Sequence, residues 1–159
     1  MKIENKVIEI LKEKKFHISC AESCTGGLLI STLINVCGAS SVIKESYVTY
    51  SNDAKVKILG VNPNTIEQYQ VESLEVAKEM VLGLYNKTNS EVCISVTGFA
   101  GSSEKLPTDG LCFYAIKVLD KLVLESVKVK GNRNKARSLQ VKHILKRTLE
   151  IIMGGNYEL

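Results

Sequence analysis

"FHISCAESCTGGLLISTLINV", residues 16–36, passes from a short apolar run through polar and glycine residues into a second apolar run of helical length. Residues 16–22 read as a buried strand, and residues 25–36 as a helix that is apolar on most sides. The same alternation spreads in both directions. Ile3, Val7, Ile10 and Leu11 recur at helical spacing and predict an amphipathic helix over 3–15. "VIKESYVTYS", 42–51, alternates and is rich in Val, Tyr and Thr, so it reads as a strand. "NDAKVKILG", 52–60, reads as a short helix with Asn52 as its cap and Gly60 as its stop, and Pro63 opens a further helical turn. Ser73 caps a helix over 73–85 that aligns Leu74, Ala77, Met80, Val81 and Leu84. "EVCISVT", 91–97, is a strand. "LCFYAIKVL" and "LVLESVKVK" are two more, joined by an Asp120-Lys121 turn. A last helix, 132–152, places Val141, Ile144, Leu145, Leu149 and Ile152 on one face. Helices that alternate with the first three strands demand parallel crossovers, and the late hairpin adds an antiparallel member. The expected fold is a three-layer α/β/α sandwich around a mixed, mostly parallel five-strand sheet, in one domain over 1–159.

Composition narrows the function classes. An apolar share of 45% suits a packed core, and no apolar run approaches the roughly 18 residues of a membrane span. The charged start "MKIENKVIEILKEKK" is no signal peptide. Five cysteines without a CxxC pair read as reduced thiols of a cytoplasmic protein. His17 and His143 are the only histidines and lie far apart, which supplies neither a metal site nor a Ser-His-Asp triad well. Ten Lys or Arg residues fall between Lys117 and Arg147 against Asp120 and Glu125. Without aromatic interleaving this is read as a solvated face, with one or two arginines available to a phosphorylated ligand, and no nucleic-acid partner is expected.

Three strand ends carry small or polar residues: 21–27, 49–55 and 97–101. In open α/β sheets ligands bind beyond the carboxyl ends of strands, so their convergence defines the candidate pocket. Neither GxGxxG nor GxxxxGK[ST] is present. Thr25-Gly26-Gly27 before a helix either aims backbone N–H groups at an anion or allows close packing, and the sequence leaves both open. Ser23 and Cys24 are adjacent nucleophiles beside the acid Glu22. Lys55, in the first turn of a helix, is either a solvated cation or a base whose pKa is lowered by partial burial and the helix field.

"AESCTGG", "VTYSNDAK", "TGFAG" and "GNRNKAR" occur in the order found in the CinA C-terminal domain family, and the chain resembles that family over residues 5–150. The resemblance implies a nicotinamide-nucleotide amidase that hydrolyses nicotinamide mononucleotide to nicotinate mononucleotide and ammonia, in pyridine-nucleotide salvage. It implies no metal or organic cofactor, no membrane partner, and a homodimer or higher homo-oligomer. Many members carry a preceding molybdopterin-binding-like domain, and this chain resembles the stand-alone form. By motif, Ser23 is the nucleophile and Tyr50 and Lys55 activate it, as in Ser-Tyr-Lys β-lactamases. Cys24 has no histidine partner, and Glu22 would raise its pKa, so the serine is favoured. Glu22, Thr25, Gly26, Gly27, Thr97, Gly98, Ala100 and Gly101 are expected around the substrate, with Arg133 and Arg137 at its phosphate. Gly98, Ala100 and Gly101 would let a ligand approach the backbone, with Ser102 and Ser103 as donors in a mobile loop. The chain departs from the family pattern where Ser102 stands for a proline, "PTDGL" for "PVGT", Asn132 for the Asp of "GDR", and Glu72 for the Ser of a Val-Ser pair. A related amidase on another small amide, and a non-catalytic nucleotide-binding or regulatory module, are the competing readings.

Overall fold

β1 (Ile18–Glu22) is buried at every residue because both its faces are covered, and it is second in a five-strand sheet. In the computed structural model, which describes residues 1–102 and 104–154, the sheet order is β2-β1-β3-β4-β5. β2 (Tyr47–Val48) and β3 (Val92–Gly98) flank β1 in parallel, β4 (Leu111–Val118) is antiparallel to β3, and β5 (Lys121–Lys128) is antiparallel to β4. Four strands therefore share one direction and β4 opposes them. The expected architecture is the one observed, with the longest ladders in the late hairpin. The expectation for Ser103 lies outside the described residues.

The helices are α1 (Ile3–Lys14), α2 (Leu28–Ile34), α3 (Asn52–Leu59), α4 (Pro63–Tyr69), α5 (Leu74–Thr88) and α6 (Arg133–Ile152). The period of two along the strands sorts them into layers. Ile18, Cys20, Ile94, Val96, Tyr114 and Ile116 face α1, α2 and α6 through Val7, Leu11, Leu29, Leu33, Ile144 and Leu145. The opposite face offers the smaller Ala21, Cys93 and Ala115 to Val76, Ala77, Met80, Val81 and Leu84 of α5. Ser95 Oγ donates to the Ala77 carbonyl at 2.6 Å, satisfying a buried hydroxyl at this close sheet–helix approach.

Four local expectations are corrected. The strand expected over 42–51 is a two-residue ladder plus a bridge from Ile43 to Ile18. Between them the Ser46 hydroxyl accepts from Cys20 N at 2.9 Å, so a side chain interrupts the main-chain ladder. The cap of α3 is Ser51, whose Oγ accepts from Ala54 N, rather than Asn52. α2 begins at Leu28 instead of 25, because Gly26 (φ 58°) and Gly27 (φ 99°) hold the left-handed conformation that a turn requires there. The hairpin turns at Leu119-Asp120, one residue earlier than the chemistry of Asp120-Lys121 suggested, since Val118 pairs with Lys121.

α5 passes close to the end of α3 at Gly83. A Cβ there would fall well inside contact distance of the Leu59 main-chain carbonyl, which cannot swing aside. Gly83→Ala should therefore lower stability by about 1–3 kcal/mol despite alanine's better helix propensity. Urea unfolding at an unchanged or higher midpoint would refute this packing account.

Candidate active site

β1 delivers its last residue, Glu22, into the layer beneath α2. That carboxylate is fully buried and accepts from Thr25 Oγ1 (2.6 Å), Leu29 N (2.8 Å) and Ile30 N (3.0 Å). A protein carboxylate thus fills the N-terminal end of α2, where the helix field favours negative charge. Gly26 N donates to the Ser23 carbonyl and Leu28 N to that of Thr25. Arg137 reaches over from α6 and donates to the carbonyls of Cys24 (3.2 Å) and Thr25 (2.6 Å). This turn is therefore braced from within, while the N–H groups of Cys24, Thr25 and Gly27 donate to no acceptor among the described residues. Glu22, Thr25, Gly26, Gly27 and Arg137 build and brace it but do not line the adjoining cavity. Thr97 is buried with its hydroxyl donated to the Val71 carbonyl, and it too stays outside the cavity.

Ser23 is held from both sides. Its N–H donates to the Val96 carbonyl at the end of β3, and its Oγ lies 2.9 Å from Lys55 Nζ. Lys55 is 1% exposed and also donates to the carbonyls of Thr49 (2.8 Å) and Tyr50 (3.1 Å). Two fixed carbonyls and one hydroxyl surround the nitrogen. As an ammonium it donates to all three; as an amine its two N–H groups hold the carbonyls and its lone pair faces the serine hydroxyl. Burial pushes the Lys55 pKa below the ordinary lysine value of 10.5, while the negative charge of Glu72 opposes that shift. Both the loop after β1 and the start of α3 are thus needed to make one Ser–Lys pair.

Tyr50 enters differently from expectation. The residue is 62% exposed, and its hydroxyl accepts from Arg133 Nη2 at 3.3 Å; only its main-chain carbonyl bonds Lys55. Among the described residues its hydroxyl bonds neither Ser23 nor Lys55. Cys24 lines the cavity wall with its thiol on Gln140 Oε1 at 3.8 Å, and burial pushes its pKa up to about 12, which keeps it a protonated, weak nucleophile.

The Ser23–Lys55 pair opens into a cavity of about 310 Å³. Its wall includes Tyr50, Glu72, Gly98, Ala100, Gly101, Asp109 and Arg133. The glycines serve packing as well as access. A Cβ at Gly98 would lie 2.5 Å from Cys112 Cα, and one at Gly101 would lie 3.3 Å from Arg133 Cα. The N–H groups of Ala100 and Gly101 donate to no main-chain or side-chain acceptor among the described residues, and neither does that of Cys24 beside Ser23, so all three are free donors on this wall. Arg133 holds the Gly101 carbonyl with Nη1 at 2.7 Å. Three residues of this region escaped sequence reasoning in their roles. Asp109 Oδ2 accepts from Ser102 N, Ser102 Oγ and Leu106 N, tying together a loop expected to be mobile. Gln140, fully buried on α6, donates to the carbonyls of Phe99 and Gly110 and so clamps both ends of that loop. A glutamine within the apolar stripe beside Val141 and Ile144 was the available signal. Glu72 stood out only as a departure from pattern.

An α/β/α sandwich with a buried Ser–Lys pair at the carboxyl end of its central strands defines the structural class. The family model described as the CinA C-terminal domain matches residues 1–152, and the chain belongs to that family. A competence-damage inducible protein of Alkaliphilus oremlandii is 46% identical over 146 residues, covering 90% of this chain and 35% of the relative. A CinA-like protein of Fusobacterium nucleatum is 43% identical over 155 residues, covering 95% of this chain and 38% of the relative. The chain thus spans little more than a third of those relatives' length. The crystal structure of a competence/damage inducible protein from Agrobacterium tumefaciens superposes with a TM-score of 0.84 at 30% identity, covering 91% of this chain and 90% of that one. Among the described residues no helix is long and apolar enough to cross a membrane.

The Ser–Lys geometry sets a pH dependence. Only the neutral amine can take the serine proton, and its share grows as pH rises through a pKa below 10.5. Labelling of Ser23 by a fluorophosphonate should rise with pH along a curve whose midpoint lies below 10.5, and vanish in Lys55→Met. Labelling that is independent of pH, or that persists in Lys55→Met, would separate the two groups.

Proposed function

We propose that this domain is a serine amidase that hydrolyses the carboxamide of nicotinamide mononucleotide to nicotinate mononucleotide and ammonia, serving pyridine-nucleotide salvage. The observation that carries the reading is the 2.9 Å contact between Ser23 Oγ and a buried lysine nitrogen at the wall of a ligand-sized cavity. Such a pair is a nucleophile with its own base, which a binding module has no need to bury. The chain's resemblance to a family of nicotinamide-nucleotide amidases suggests the substrate.

In this mechanism neutral Lys55 takes the hydroxyl proton as Ser23 Oγ bonds to the amide carbon. The oxygen of the tetrahedral intermediate is met by the free N–H groups of Ala100 and Gly101. Lys55 returns the proton to the nitrogen, the C–N bond breaks, and ammonia leaves an ester on Ser23. Water then gives a proton to Lys55 and attacks the ester. The C–Oγ bond breaks, the acid departs, and Lys55 reprotonates Ser23. Tyr50 contributes its carbonyl to Lys55 and its phenol to Arg133. Arg133, exposed on the cavity wall, takes the phosphate; Arg137 is committed to main-chain carbonyls.

Ammonia release from nicotinamide mononucleotide tests the reading directly. Ser23→Ala and Lys55→Met should each lose at least about 10³-fold in kcat, as removal of a nucleophile or its base does. Cys24→Ala should stay within about tenfold of wild type, with about 1 kcal/mol of stability lost. Thermal stabilisation by the nucleotide without any ammonia would favour a binding module, and turnover of other small amides alone would favour the related-amidase reading. Arg133→Ala should raise KM for the nucleotide more than for nicotinamide riboside; equal effects on both would deny it the phosphate.

A further inference from the structure

Glu72 lies in the segment between α4 and α5, half-buried, on the same cavity wall as Ser23 and Lys55. Among the described residues its carboxylate accepts no hydrogen bond and forms no ion pair. The other charged groups of the wall are engaged differently. Lys55 is surrounded by Ser23 and two carbonyls, Arg133 holds the Gly101 carbonyl and the Tyr50 hydroxyl, and Asp109 is spent on its own loop. One anionic group therefore faces the cavity without a partner. A carboxylate gains nothing by being half-desolvated and unpaired, and it hinders its neighbour by favouring the charged form of Lys55. Its position makes sense if an incoming ligand brings a positive charge.

We propose that Glu72 is a specificity-determining residue that selects amides carried on a cationic, pyridinium-type ring over neutral aromatic amides of the same shape. This rests on the amidase reading above and deepens it. The ring cation approaches Glu72 while an anionic tail meets Arg133, so one carboxylate and one guanidinium match a zwitterionic ligand. Once paired with the ring, Glu72 no longer acts on Lys55 alone, and the field of the bound cation favours the neutral amine that the first step requires. The correct substrate thereby helps to prepare its own base, and a neutral ring does not.

The test compares nicotinamide mononucleotide with benzamide riboside 5′-phosphate, whose ring is uncharged but otherwise similar. kcat/KM for ammonia release is measured on both with wild type, Glu72→Gln and Glu72→Ser. Dissociation constants for both compounds are measured by calorimetry in a Ser23→Ala background, with and without Glu72→Gln. Wild type should prefer the cationic substrate, and each Glu72 variant should cut that preference about three- to fivefold, the scale of one partly screened charge pair. The calorimetric ratio should fall in the same direction. Equal losses on both substrates would make Glu72 a structural residue and overturn the inference, as would an unchanged ratio. Those results leave the amidase reading intact if wild type turns over. Neither ammonia nor binding from either compound would overturn both.

Discussion

The carboxylate of Glu22 is the constraint on which the rest depends. It ends the central strand, caps the next helix through two main-chain donors, and holds the Thr25 hydroxyl, all without contact with water. Those three bonds fix the direction in which the chain leaves the sheet. Ser23 is then forced outward at the strand end, where the Val96 carbonyl and Lys55 Nζ receive it. The same acid therefore sets both the packing angle of α2 and the aim of Ser23. Removing a buried partner of this kind leaves helix N–H groups unsatisfied at about 1–3 kcal/mol each, and the turn has no second anion to replace it.

Lys55 shows the complementary economy. Its nitrogen donates to carbonyls of the segment after β2 and to the serine after β1, so it ties two parallel neighbours together at the cavity wall. A charged nitrogen buried there works against folding, and the bonds to two carbonyls offset that cost only in part. The site is thus less stable than an apolar plug of the same size would be, a common condition of groups whose pKa must be moved. Opposite the pair, Gln140 and Asp109 do quieter work: one clamps the ends of the 98–110 loop, and the other gathers its middle.

Much of the fold was legible because hydrophobic period and caps agree for the long elements. α1, α5, α6, β3 and the hairpin strands stand close to where periodicity put them. β2 was overread, since Val, Tyr and Thr alternate over ten residues while a single serine side chain breaks the ladder. Ser23, Lys55, Tyr50 and Arg133, which the sequence motifs single out, line one cavity. Motifs could not separate lining from bracing. Glu22 and Arg137 look like ligand-binding charges in a string of letters, and only three-dimensional bonding shows them committed to main-chain groups. Gln140 lies more than a hundred residues from Cys24, and no local pattern links the two.

The two margins of the sheet differ in a way that bears on self-association. β2 is an edge only two residues long, followed at once by α3, and offers an incoming chain almost no row of open amide and carbonyl groups. β5 is an eight-residue margin with Lys121 and Lys128 at its two ends. A second strand docking there would have to lie between those charges, which is how natural sheets discourage runaway growth into fibrils. The protein thus sets its short edge beside buried Lys55 and guards its long one with charge.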